Sequence, residues 1–161
     1  MHKPETWVLV ADATRARVLR QPEPAPRMHT PPLETIFTKK TRVLPARAIM
    51  SDEPGRSFSS VGEGRSAMEY RSDPVREELR EFVREILDEL DKRRERGEFQ
   101  HLVIHAPPRM LGELRDLMSP HLAATVVAEF DKDLTKLPER DLREALLAEE
   151  RPDDTDQPEV H

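Results

Sequence analysis

Residues 99–138, FQHLVIHAPPRMLGELRDLMSPHLAATVVAEFDKDLTKLP, leave this chain few ways to fold. Residues 99–106 form a short, branched, apolar run of the buried-strand type, and Pro107-Pro108 ends it. Residues 109–118 then place Met110, Leu111, Leu114, Leu117 and Met118 at helical spacing. Ser119-Pro120 is a signal for a short helical restart, with Ser as cap and Pro at the first helical position. Residues 125–130 form a second strand, followed by a charged turn, Asp131-Lys132-Asp133-Leu134-Thr135. The connection is long enough for a right-handed crossover, so the two strands are expected to be parallel neighbours.

The rest of the chain supplies the partners for that βαβ unit. Residues 6–11 (TWVLVA) and 15–20 (RARVLR) are apolar runs separated by Asp12-Ala13-Thr14, the pattern of an antiparallel hairpin. In the second run Ala16 and Val18 fall on one side, and Arg15, Arg17 and Leu19 on the other. Residues 21–32 are Pro-rich loop, and 33–38 (LETIFT) read as a third strand. Residues 39–50 are ambiguous, because Pro45 interrupts two apolar patches. Residues 51–71 carry three glycines and five serines without sustained periodicity, so they read as a long loop. A long helix opens at Asp73-Pro74, runs an apolar stripe through Leu79, Phe82, Val83, Ile86, Leu87 and Leu90, and ends at Gly97. Residues 138–150 form a last helix with Leu142, Ala145 and Leu146 inward, and the acidic tail 151–161 is expected to be disordered. The expected fold is α/β: one domain over residues 1–150, with a mixed sheet of about five strands and helices packed on it.

Composition removes several functional classes. The chain has no cysteine, so thiolate and disulfide chemistry are out. No apolar run approaches the ~20 residues that span a bilayer. The run Trp7 to Ala11 is shorter than the ~7–15 residues of a secretory core, so a cytoplasmic location is expected. The formal charge of −6 is uneven: residues 1–71 sum to +4, 72–128 to −3 and 129–161 to −7. Such charges mostly solvate a surface, but a basic first half also suits phosphate.

Three groups of residues are candidates for function. The loop residues Gly55, Arg56, Gly62, Gly64, Arg65 and Arg71 combine close backbone approach with guanidinium forks that match phosphate. Arg15, Arg17, Lys39, Lys40 and Arg47 are candidate phosphate contacts, and Phe58 and Tyr70 can stack on bases. Asp12, Asp131 and Asp133 follow strand ends, where carboxylates can hold Mg²⁺ for hydrolysis of an ester or phosphodiester. The competing reading makes Asp131 and Asp133 turn residues, with Lys132 between them to neutralise them. His101 and His105 share a strand face but lie about 13 Å apart, too far for one ion, and read as packed or surface histidines. No phosphate-loop motif and no cofactor motif is present.

The segments WVLVADATRARVL, SDEPGRSF and HLVIHAPPRMLGELRDLMSPHLAATVVAEFDKDLTKLP together resemble the bacterial host attachment protein family. That family is in turn distantly similar to the central domain of archaeal and eukaryotic peptide-chain release factors. The resemblance implies a ribonuclease-H-like fold and a loop, here residues 51–71, that reaches the ribosome. It implies tRNA, ribosomal RNA or the ribosome as partners; the hydropathy gives no membrane partner, and a further reading is an interaction protein whose link to surface attachment is indirect, since the N-terminal apolar run is too short for a secretory core. It leaves the oligomeric state open. Release factors carry a Gly-Gly-Gln in that loop to promote hydrolysis. This chain has Gly62-Glu63-Gly64-Arg65 there and no Gln between Gln21 and Gln100.

Overall fold

A computed structural model describes residues 4–24, 29–41 and 74–149. Its elements run β1 (Thr6–Ala11), β2 (Arg15–Arg20), β3 (Thr35–Lys40), α1 (Pro74–Glu95), β4 (His101–His105), α2 (Pro108–Leu117), α3 (Pro120–Ala123), β5 (Val126–Phe130) and α4 (Glu139–Glu149). Five strands form one mixed sheet in the order β3-β2-β1-β4-β5. β2 is antiparallel to both neighbours, while β4 is parallel to β1 and to β5. The hairpin and the βαβ unit are therefore both present. The 51–71 loop, Arg47 and the 151–161 tail lie outside the described residues.

β1 sits at the centre of the sheet and is buried on both faces, which explains its unbroken apolar run. Side-chain alternation sends Trp7, Leu9 and Ala11 to one face and Val8 and Val10 to the other. The first face packs against α1, α2 and α3. There Leu79, Phe82, Val83, Ile86, Leu87 and Leu90 of α1 meet Ala16 and Val18 of β2 and Leu102 and Ile104 of β4. Trp7 stacks on Phe99 with ring centroids 4.6 Å apart. The βαβ crossover lies on this same face, since Met110, Leu111, Leu114 and Leu122 join its core.

Local chemistry sets the ends of these elements. Gly97 has φ +77°, and its amide donates to the Arg94 carbonyl (2.9 Å) while the Glu98 amide donates to that of Arg93 (3.0 Å). These two bonds form a Schellman motif, whose left-handed residue glycine adopts without strain. Ser119 Oγ accepts from the Leu122 amide at 3.1 Å, as its position before Pro120 predicts. β3 begins two residues later than the 33–38 reading. Leu33 instead packs into the core beneath α4, and its amide donates to Glu139 Oε2 at 2.8 Å.

Among the described helices α4 covers the second face. Leu142 and Leu146 pack on Val8, Val10, Leu19 and Leu33. The buried Arg143 donates to the backbone carbonyls of Pro31 (3.1 Å) and Glu23, fastening the Pro-rich connection beneath the helix. At 11 residues and 1.5 Å per residue, α4 is about 16 Å long. Among the described residues no helix is long and apolar enough to cross a membrane.

Candidate functional site

Among the described residues the short reach of α4 leaves the β4–β5 half of its face uncovered. The sheet register pairs Val103 with Ala128 and His105 with Phe130, and all four face this side. The register shift between Leu102 and Val103 adds Val127 to β5 as an extra residue, which is 57% exposed. The result is a cavity of about 350 Å³ floored by Val8, Val103, Ala128 and Phe130, walled by Leu146, and rimmed by Thr6, Gln21 and Glu149.

His105 is the unusual member of this cavity. It is 1% exposed, stacks on Phe130 at 4.9 Å between centroids, and its Nδ1 is buried without a hydrogen-bond partner. Burial pushes its pKa down to about 4. Glu149 opposes that shift and Lys132 reinforces it. The ring is therefore neutral at pH 7, and no protein group fixes which nitrogen of Nδ1 and Nε2 bears the proton by bonding to Nδ1. Lys132 pairs with Glu149 across the mouth of the cavity, not with Asp131 and Asp133 as the sequence order suggests.

Asp12 has a structural role. Its Oδ1 accepts from the Thr14 amide (2.8 Å), the Thr14 hydroxyl (3.1 Å) and the Arg15 amide (3.0 Å), tying the β1–β2 turn. Its Oδ2 lies 2.8 Å from Thr135 Oγ1, which is also 2.6 Å from Asp133 Oδ1. The single hydroxyl proton of Thr135 is shared between the two carboxylates. Burial raises the Asp12 pKa, but the bonds from Thr14, Thr135 and Arg15 outweigh it and hold the carboxyl below its ordinary value. Asp133 also accepts from the Thr135 amide at 3.0 Å, the turn role expected of it. Asp131 is exposed. Among the described residues no group of three metal-ligating side chains converges, so the three aspartates do not assemble as a centre.

The sheet divides the basic candidates. Arg15 pairs in register with Lys40, and both lie on the α4 side. Arg17 shares that side, but it donates to Thr35 Oγ1 (2.8 Å) and lies 3.7 Å from Glu139. Lys39 pairs with Ala16 and faces the α1 side, where its charge acts on Glu89. Arg47 and the loop residues Gly55, Arg56, Gly62, Gly64, Arg65 and Arg71 lie outside the described residues.

Reasoning from sequence set His105 aside as a packed histidine and did not reach Phe130 or Glu149. The usable signal was a histidine on the inward face of an otherwise apolar strand. What surrounds it comes from two other elements.

No curated protein matches the chain. A family model described as "Protein required for attachment to host cells" matches residues 7–146, a span that, among the described residues, runs from β1 into α4. By this match the chain belongs to the family of proteins required for attachment to host cells.

Proposed function

We propose that this member of the family is an RNA-associated domain of the release-factor type, acting on tRNA or at the ribosome, and that its part in attachment is indirect. One observation carries the reading. Arg15 and Lys40 stand opposite each other in register on one face, at the end of β3 from which the chain continues toward 51–71. Lys40 is exposed and Arg15 is 46% exposed, so both can meet phosphate. The mixed sheet with β2 as its one antiparallel strand is compatible with the ribonuclease-H-like arrangement of release-factor domains. Peptidyl-tRNA hydrolysis is left out of the proposal, because the 51–71 segment lacks a glutamine.

Sedimentation of cell extracts through sucrose gradients tests the reading. The protein is expected in ribosomal fractions at low salt, and it should leave them steeply as salt rises. An Arg15→Glu, Lys40→Glu double variant should remain folded and move to the top of the gradient. Absence of the unaltered protein from ribosomal fractions at every salt concentration would sink the reading.

A further inference from the structure

We propose that the cavity under α4 is a binding site for one flat, uncharged heteroaromatic ring bearing an amino group, of which a nucleobase is the type. Five observations converge on that class. The floor is apolar, with Val8, Val103 and Ala128 below a Phe130 ring already stacked against the imidazole of His105. Such a floor favours a flat apolar face. Among the described residues the polar side chains lining the cavity are Thr6, Gln21, His105 and Glu149. Among them the carboxylate accepts from an amino group, while the imidazole offers a donor or an acceptor, because nothing bonded to Nδ1 fixes its tautomer.

Charge narrows the class further. Among the described residues no cation lines the cavity, and Lys132 is engaged by the rim residue Glu149. A phosphate placed inside would meet a Glu149 carboxylate whose one paired cation is already engaged, and no second cation to offset its own charge, so any phosphate stays outside the mouth. The volume of about 350 Å³ lies at the small end of ligand cavities, suited to one base or nucleoside and not to a dinucleotide. Lastly, Nδ1 of His105 is an orphaned buried group, a cost that the fold retains at this position.

This inference does not rest on ribosome association, and its test separates the two. The Phe130 ring and Val103 methyl signals of the isotopically labelled full chain, which both variants below retain, are followed by NMR while adenosine, cytidine, ribose 5-phosphate and a short single-stranded oligoadenylate are added in turn. Saturable shifts with the amino-bearing nucleosides, and none with ribose 5-phosphate, are expected. Shifts from adenosine alone assign a free nucleoside or nucleotide as guest. Shifts from the oligomer but not from adenosine assign an unstacked base of a strand. Two variants guard against misfolding: His105→Phe keeps the ring stack and removes the polar atoms, and Ala128→Leu fills the floor. Each should keep the unaltered circular dichroism spectrum and weaken binding by about tenfold or more. Affinity unchanged in both folded variants would overturn the proposal. So would the absence of any saturable shift up to about 10 mM of every base-bearing probe, since weaker binding is not a specific site.

Discussion

The two faces of one sheet are treated very differently. On the α1 face, a 22-residue helix and the βαβ crossover close a continuous core in which Leu9, Val18, Val83, Ile86, Leu90 and Ile104 are fully buried. On the α4 face, an 11-residue helix covers β1 and β2, and no residue of β5 joins the core beneath it. The first face is bound by apolar packing. The second adds directed contacts to a smaller apolar cluster: Arg143 on two carbonyls, Glu139 on the Leu33 amide, and Lys132 on Glu149. The sealed face accounts for stability, and the part left uncovered is where a histidine can sit beside a cavity.

Substitutions can break this contrast. Phe82→Ala on the sealed face should cost about 3–5 kcal/mol, because its neighbours cannot collapse into the space, whereas Leu146→Ala beside the cavity should cost about 2 kcal/mol. Urea unfolding measures both, and equal costs would remove the distinction between the faces. Acid should act through the open face. His105 is neutral when folded with a pKa near 4, and titrates near 6.5 when unfolded, so the unfolded chain binds more protons between those values. Stability contributed by the neutral ring is therefore present above pH 6.5 and lost as pH falls toward 4, by up to about 3 kcal/mol. The carboxylate of Glu149 and the ammonium of Lys132 act on the ring in opposite directions. His105→Leu should flatten this stretch of the stability–pH curve, and an unchanged slope would show that other groups set it.

A smaller effect tests how the sealed face is held at its edge. Glu113 on α2 is buried and accepts from Arg80 (2.6 Å) and Arg76 (3.1 Å) of α1. Glu113→Ala should cost about 2 kcal/mol, less than a fully buried ion pair, because Arg80 and Arg76 still reach water. Smaller again is Asp12→Ala, expected to cost about 1–2 kcal/mol by freeing the Thr14 and Arg15 amides and the Thr135 hydroxyl. If Asp12→Ala instead abolished an activity without changing stability, the metal-hydrolase alternative would regain its ground.

Much of the architecture was legible beforehand. The α1 stripe, the Gly97 stop, the Ser119 cap and the parallel βαβ unit each depend on residues close in sequence. β3 was misplaced by two residues because Leu33, an apolar residue beside a strand, is held by an acid 106 residues away. The candidate site was harder to read. The basic set looked like one group, but strand alternation sends Lys39 to the opposite face from Arg15 and Lys40.

By itself the sequence determined the element types, the hairpin and crossover, and which residues of α1 turn inward, since these follow from local periodicity and capping. Only the tertiary structure decided that His105, Phe130 and Glu149 meet, that Lys132 turns to Glu149, and that Asp12 and Asp133 share the Thr135 proton. Those meetings depend on how far α4 reaches across the sheet and where β5 slips register. Helix reach and strand register are properties of packed elements, and no single stretch of residues carries them.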